Sequence, residues 1–315
     1  MKRLLSVAMT CVAASFSLCS LAHSDGMMIP DEATWKRMNE KAYINEPEQK
    51  AVVFFSKGKE RLIISPSYSG PASNFAWIVP VPARPKVEIL KGAIFHELKD
   101  ITEPERPSTR APGMLSAPQM KDSPVQVLER KIVGAYDVSV LKSTDGKALM
   151  KWLKDNKYHL PAKALEPINY YVKNKWTFVA SRVKTPNSAK GLKSGTLAPI
   201  SLTFPAKQPI YPLRLSSANP EPFSVLVYLL IPSREVHKHA TEIDLAYATS
   251  SDWGAFSEAN LCATVKPGSR KYLVGKIKYP TLSKLSREEL KIYRQSMYMR
   301  PEDCRRDAVW TVPGP

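Results

Sequence analysis

The sequence has few glycines and few cysteines, and it has no second long hydrophobic segment. Its 315 residues include 13 Gly and 4 Cys. After residue 22 no run of about 20 apolar residues occurs, so we expect no transmembrane segment in the mature chain. Collagen-like structure and a dense disulfide scaffold are therefore excluded.

Acidic residues are also scarce relative to basic residues. The chain contains 46 Lys and Arg against 29 Asp and Glu, which gives a formal charge of +17. The basic residues are spread in short groups such as Lys57-Gly58-Lys59, without the interleaved aromatic residues of a nucleic-acid stacking surface. We therefore expect no nucleic-acid partner, and the candidate partner is an anionic component of a cell envelope.

The first 24 residues have the pattern of a secretory signal peptide. Lys2 and Arg3 precede a mostly apolar segment, residues 4–22, and small residues flank a cleavage position after Ser24. We expect removal of residues 1–24 and a periplasmic or extracellular protein. The alternative is an uncleaved anchor, because the apolar segment approaches the roughly 20 residues that span a bilayer.

Two cysteines remain after this removal, Cys262 and Cys304. An even pair of cysteines in an oxidising compartment favours a disulfide bond. We expect this bond to fasten residues 236–315 onto the rest of the chain. The alternative is a pair of buried free thiols.

Short apolar strand patterns dominate the mature chain. They cluster before and after two consecutive helix patterns, at residues 145–153 and 161–173, without regular alternation of strands and helices. This order predicts an α+β fold with a largely antiparallel sheet, a central helical pair and a disulfide-pinned C-terminal segment. The almost wholly apolar segment 223–231 is expected at the centre of the sheet.

The chain divides into three parts at the sequence level. Residues 1–24 are the signal peptide, residues 25–235 form a main α+β domain, and residues 236–315 form a C-terminal extension packed on that domain. Prolines among Ser, Thr and charged residues predict a long exposed loop at residues 102–124.

Three further elements follow from local signals. Ser286 and the glutamate three positions later have the spacing of a capping box, so we expect a helix over residues 286–297. Another helix is expected over residues 253–260. A strand is expected over residues 210–215, where Pro212 favours a sheet edge or a bulge.

Several short segments occur in a distinctive order along residues 46–232. They are Glu48-Gln49-Lys50-Ala51, Ser67-Tyr68-Ser69-Gly70-Pro71-Ala72, Phe75-Ala76-Trp77-Ile78-Val79-Pro80-Val81-Pro82-Ala83, Tyr136-Asp137-Val138, Trp152-Leu153 and Pro212-Leu213-Arg214-Leu215-Ser216. With them the chain resembles the bacterial secreted proteins grouped as domain-of-unknown-function family 2330. The resemblance implies export and a shared fold, and it supplies no catalytic residue.

The segment around Trp77 is the candidate binding site. Trp77, Pro80 and Pro82 are the candidates to line an apolar or carbohydrate groove. The alternative is a buried strand whose prolines end the hydrogen-bonded ladder, because proline donates no ladder hydrogen bond.

The sequence predicts no catalytic residue, no metal site and no cofactor. His96-Glu97 begins like the HExxH zinc motif, but Asp100 occupies the position of the second histidine. His237 and His239 are expected in an exposed basic turn. Residues 191–196 are rich in Gly, Ser and Lys, but they lack the spacing of a P-loop.

Two functions remain open at this level. The first is a non-enzymatic binding or structural protein of the bacterial envelope. The alternative is a hydrolase that acts on an envelope polymer, with its site near Trp77 and Pro80.

Overall fold

A computed structural model describes residues 27–30, 36, 49–69, 74–103, 126–133, 136–156, 158, 160–184, 194–244, 258–267 and 279–314. The predicted signal peptide lies outside the described residues. Most of the predicted loop, residues 104–124, also lies outside them. The same holds for residues 253–257 of the helix predicted near Trp253.

The described residues form the following elements, numbered in chain order. The strands are β1 Met27–Pro30, β2 Gln49–Ser56, β3 Lys59–Ser69, β4 Asn74–Val81, β5 Lys86–Ile89, β6 Gln126–Val133, β7 Tyr136–Lys142, β8 Thr177–Lys184, β9 Ser194–Thr196, β10 Ile200–Pro205, β11 Ile210–Tyr211, β12 Phe223–Pro232, β13 Glu242–Asp244, β14 Glu258–Val265, β15 Leu290–Met299 and β16 Ala308–Val309. The α-helices are α1 Ile94–Thr102, α2 Gly146–Asp155, α3 Leu165–Lys173 and α4 Pro280–Leu285. Strands and helices in this order confirm the predicted α+β class.

The strands form two main sheets. A five-stranded sheet has the order β1-β4-β8-β7-β6, and a nine-stranded sheet has the order β13-β14-β15-β12-β2-β3-β10-β5, with β9 paired to β3. Neighbouring strands of the described residues run antiparallel, except that β2 and β12 run parallel. The predicted, largely antiparallel architecture is therefore confirmed, and β12 lies between β15 and β2, inside the larger sheet.

The core has three apolar layers. Side chains between the two sheets form the largest one, which includes Leu62, Trp77 and Val227. A second layer lies between the five-stranded sheet and the helical pair α2 and α3. A third lies between the nine-stranded sheet and α1 with α4. In the central strands β2, β3, β4, β8 and β12, alternate residues enter different layers, so these strands are apolar on both faces.

The predicted helical pair is confirmed, and local signals explain it. Helix α2 begins after Asp145, whose side chain accepts a hydrogen bond from the backbone N–H of Lys147 at 2.8 Å. Gly146 then allows close contact with α3, because a Cβ atom there would lie 2.1 Å from Oδ1 of Asn169. The pair packs on the five-stranded sheet through Leu149, Leu153 and other apolar residues.

The helix predicted over residues 286–297 is wrong. Residues 290–299 form β15, which pairs with β12 along its whole length and with β14 on the other side. Ser286 ends α4 instead of starting a helix. Pairing with two strands distant in sequence outweighs a capping signal of four residues, because strand preference depends strongly on tertiary context.

Two other predicted elements also differ in the structure. The strand predicted over residues 210–215 ends at Tyr211, and residues 214–218 form a 3₁₀ turn, because Pro212 cannot donate the next ladder hydrogen bond. Residues 258–260, predicted as the end of a helix, belong to β14.

The predicted disulfide between Cys262 and Cys304 is wrong, because both thiols are free. Cys262 is exposed on β14, whereas Cys304 is fully buried in the core between the sheets. Residues 236–315 are held instead by backbone pairing, since β15 lies along β12 and β16 lies along β11. Whether residue 235 is a domain boundary stays a prediction.

None of the helices that the structure describes has the length and the apolar character needed to span a bilayer.

Candidate functional site

A pocket of about 360 Å³ lies where the C-terminal segment meets the end of α3. Strand β16 and the residues just before it form one side. The 3₁₀ turn after Leu213 and the C-terminal end of α3 form the others. The lining residues are Tyr170, Trp176, Ile210, Arg214, Arg306, Asp307 and Val309.

The end of α3 places two aromatic rings at the pocket. Asn174 ends the helix, and its side-chain amide donates to the backbone oxygen of Tyr170 at 2.8 Å. Lys175 then adopts a left-handed conformation with φ 61°, which turns the chain back. The N–H of Trp176 donates to the backbone oxygen of Tyr171, and the ring centroids of Tyr171 and Trp176 lie 4.7 Å apart. Both Tyr170 and Trp176 stay partly exposed at the pocket.

Arg214 provides the positive charge of this wall. Its guanidinium carbon lies 3.6 Å from the centroid of the Tyr170 ring, which is the geometry of a cation–π contact. Its Nε is buried and has no hydrogen-bond partner. Stacking on Tyr170 and the nearby charge of Asp307 therefore both act on this guanidinium.

Asp307 lies beneath the pocket and fixes the turn that carries Arg214. Its Oδ1 accepts hydrogen bonds from the backbone N–H groups of Leu213 and Arg214, both at 3.0 Å. The hydroxyl of Tyr171 donates to the same oxygen at 2.5 Å. One buried carboxylate thus ties together α3, the turn and the C-terminal segment.

Burial governs the protonation of the Asp307 carboxylate. It raises the pKa of Asp307, while the hydrogen bonds from Tyr171, Arg214 and Leu213 and the charge of Arg214 oppose that shift. Burial and then the neighbouring Asp307 raise the pKa of Tyr171 well above its ordinary value. The hydroxyl of Tyr171 is therefore kept as a donor.

A buried glutamate anchors the opposite wall of the pocket. Glu60 on β3 accepts a hydrogen bond from the backbone N–H of Ile210 at 2.7 Å, and its other oxygen has no partner. Burial raises the pKa of Glu60 well above its ordinary value. Because Ile210 pairs with Val309, this contact holds both wall residues of the β11–β16 ribbon.

The predicted site residues lie elsewhere in the fold. Trp77 is fully buried between the two sheets. Pro80 is buried in β4 opposite Phe178 of β8, and Pro82 is partly buried after the strand ends. Among the described residues, β1 pairs with β4 as far as Ile78 and no strand pairs with Pro80 on that side. Ligand binding by these three residues stays a prediction, and none of them lines the pocket.

The three histidines of these motifs are exposed, whereas the neighbouring Glu97 makes structural contacts. Nδ1 of the exposed His96 lies 3.2 Å from a carboxylate oxygen of Asp100, whereas Glu97 is buried and accepts hydrogen bonds from the backbone N–H groups of Thr281 and Leu282. His237 and His239 lie in an exposed turn, as predicted. Within the described ranges, no group of three or more His, Cys, Asp or Glu residues could hold a metal ion.

Sequence reasoning missed most of the pocket. Arg214 occurs in one of the distinctive segments, but nothing in the sequence distinguishes it from the other arginines. Asp307 follows two arginines near the C-terminus, and Trp176 follows a helix, without a local signal for either role. Their association depends on contacts between segments that are far apart in the chain.

Comparison with known proteins gives a family match. A family model described as an uncharacterized protein conserved in bacteria (DUF2330) matches residues 36–287. This match extends beyond the residues on which the sequence resemblance was based. No match was found among curated proteins. Among solved structures, the crystal structure of baculovirus P35 is similar at 11% identity and a TM-score of 0.37, covering 86% of this chain and 97% of that chain.

Proposed function

The chain belongs to the bacterial DUF2330 family, and on that premise we propose that it is an exported envelope protein that binds an anionic component without catalysing a reaction. The observation that carries the proposal is Arg214, stacked on Tyr170 at the wall of a pocket of about 360 Å³. An arginine keeps its charge at all ordinary pH values, and its planar fork fits carboxylates and phosphates.

The charge of the whole chain supports an anionic partner. Without Lys2 and Arg3 of the proposed signal peptide the formal charge of +17 becomes +15, which still creates a field that draws anions toward the surface, and Arg306 adds a second guanidinium at the pocket. The proposed export rests on the signal-peptide pattern of residues 1–24.

The composition of the pocket favours binding over hydrolysis. Among the residues that line it, Asp307 is the only carboxylate, and its Oδ1 already accepts three hydrogen bonds. Glycoside hydrolysis generally uses two carboxylates that flank the bond to be broken. We therefore propose a binding role for this pocket.

The test is co-sedimentation of the purified protein with washed bacterial envelopes, together with titration against anionic and neutral polysaccharides. Arg214→Gln should weaken anion binding by about tenfold, because a bidentate charged contact is lost. Lys284→Gln removes the same charge from the exposed side of α4, a helix that contributes no residue to the pocket, and it should change binding less than about twofold. Equal losses in both variants, or equal binding of the neutral polymer, would overturn the proposal.

Export is tested separately by cell fractionation and N-terminal sequencing. The protein recovered from the envelope should begin at Asp25. Recovery from the cytoplasm with Met1 retained would contradict the proposed export.

A further inference from the structure

The pocket has room for one ring-sized group. At about 360 Å³ it lies near the lower end of the range of roughly 300–1,000 Å³ that is typical of small-molecule sites. A bare inorganic anion would leave most of this volume unfilled. A long polymer segment would exceed it, so a single unit at the end or side of a polymer fits best.

The walls indicate that this unit has an apolar face as well as a charge. Tyr170 and Trp176 supply partly exposed aromatic surface, and Ile210 and Val309 supply aliphatic surface. Aromatic side chains bury large flat areas at low entropic cost, so they suit a rigid ring. The ligand should therefore place a ring against these residues.

Arg214 determines where the charge of the ligand lies. Tyr170 covers one face of the guanidinium, and the N–H groups of arginine point outward in the guanidinium plane. The N–H group at Nε is buried without a hydrogen-bond partner, Asp307 is the nearby negative charge, and Arg214 lines the pocket. A planar carboxylate fixed to a ring matches this fork better than a tetrahedral group alone.

The backbone donors at this site are already occupied. Peptide C-terminal carboxylates are commonly captured by successive backbone N–H groups. Here the N–H groups of Leu213 and Arg214 donate to Asp307, a residue of the same chain. A peptide terminus would have to displace a buried carboxylate, whereas a ligand that uses Arg214 and the aromatic rings would not.

From these observations, and resting on the proposed function, we propose that the pocket binds a single acidic sugar unit. The carboxylate of the sugar lies on Arg214, and one face of its ring lies against Trp176. Asp307 acts as a positioning residue, since it holds the turn that carries Arg214.

The experiment titrates the purified protein with methyl glucuronide, methyl glucoside, inorganic phosphate and a short peptide with a free C-terminal carboxylate. Calorimetry should show binding of the glucuronide and at least about tenfold weaker binding of the other three probes. Saturation-transfer NMR should show the strongest transfer at the sugar ring protons, because the ring contacts aromatic side chains. Equal or tighter binding of phosphate or the peptide would overturn the proposal.

Variants distinguish a fitted fork from a general positive charge. Arg214→Lys keeps the charge but loses the planar fork, so it should lose glucuronide binding almost as completely as Arg214→Gln. Lys284→Gln is the charge-matched control and should bind like the unaltered protein. Thermal melts of all variants report folding independently, and full binding by a folded Arg214→Lys variant would overturn the assigned geometry.

The failure of this inference is distinguishable from that of the proposed function. If anionic polymers bind in an Arg214-dependent manner but methyl glucuronide does not compete with them, the acidic sugar is wrong and the binding function stands. If no anionic polymer binds in that manner, both are overturned.

Discussion

Among the buried ionisable side chains that the structure describes, several are hydrogen-bonded to backbone groups or to a tyrosine. Glu60 and Glu97 accept backbone N–H groups, and Asp307 accepts two of them together with the hydroxyl of Tyr171. Lys291 donates from Nζ to the backbone oxygens of His237 and Lys238, at 2.9 and 2.7 Å. These contacts satisfy backbone groups at a helix start, in turns and in the short strand β11, so the loss of one leaves those backbone groups without that partner.

At the scale of single residues, we expect the burial of Glu60 to make the free energy of unfolding depend on pH. Its raised pKa in the folded protein means that the folded state holds a proton above the ordinary value of 4.5. Its contribution to stability is present at pH values below 4.5 and is lost as the pH rises toward the raised value. Glu60→Gln is neutral throughout, so its free energy of unfolding should fall less between pH 5 and pH 8 than that of the unaltered protein.

Urea unfolding at several pH values checks this expectation. Glu221→Gln, which removes an exposed carboxylate, is the control and should reproduce the pH profile of the unaltered protein. A Glu60→Gln profile parallel to the unaltered one would show that Glu60 does not titrate with folding.

The two cysteines should differ in their reactivity toward a thiol reagent. Cys262 is exposed, whereas Cys304 is fully buried and its pKa is raised by burial and by nearby acidic residues. In protein lacking residues 1–24, a thiol reagent should label Cys262 in the folded state and Cys304 only after unfolding. Absence of labelling at Cys262 until a reductant is added would contradict the free thiols.

At the scale of secondary-structure elements, α1 and α4 are joined by the side chain of Glu97 and by the close approach of Gly92 to Thr281. Both carboxylate oxygens of Glu97 accept N–H groups at the start of α4, at 2.8 Å each. Gly92 has φ 127°, and a Cβ atom there would lie 2.3 Å from Oγ1 of Thr281, which accepts the N–H of Ala93. The start of α4 is therefore capped by a neighbouring helix rather than by its own sequence.

Glu97→Ala should destabilise the protein by about 1–3 kcal/mol, because it leaves two buried N–H groups without an acceptor. Hydrogen exchange should accelerate at the amides of Thr281 and Leu282. His96→Ala removes the exposed contact with Asp100 and is the adjacent control, with an expected change of about 0–0.5 kcal/mol. Equal unfolding free energies for the two variants would contradict the capping role.

The elements that the sequence predicted correctly carry their signals locally. Asp145 begins α2 by its own side chain, and Lys57-Gly58 forms the turn between β2 and β3, with both residues at positive φ. Strand β15 was missed because its neighbours β12 and β14 are distant or weakly patterned. The pocket was missed for the same reason: Trp176, Arg214 and Asp307 become neighbours only after the sheets have formed.

At the scale of the whole molecule, the nine-stranded sheet joins the two parts that the sequence separates at residue 235. Ten residues of β12 pair with ten residues of β15, and β11 pairs with β16. Removal of residues 236–315 would expose β12 as a long apolar edge. The C-terminal segment is thus bound by a backbone ladder where a covalent link was expected.

A chain truncated after residue 235 should consequently fail to fold or aggregate, and circular dichroism should show no cooperative melt. Truncation after Trp310 keeps β15 and β16, and that variant should melt within a few degrees of the unaltered protein. A soluble, cooperatively melting fragment that ends at residue 235 would instead support a domain boundary there.

The parallel pairing of β2 with β12 has a consequence for the order of events during synthesis. Residues 49–54 can pair with β12 only after residues 225–230 have been synthesised. The larger sheet is complete only when β15 is also available to pair with β12. Such long loop closures make folding slow, because the entropy of bringing distant segments together is lost before their contacts form. A nascent chain of this topology cannot complete the larger sheet until residues 290–299 have left the ribosome.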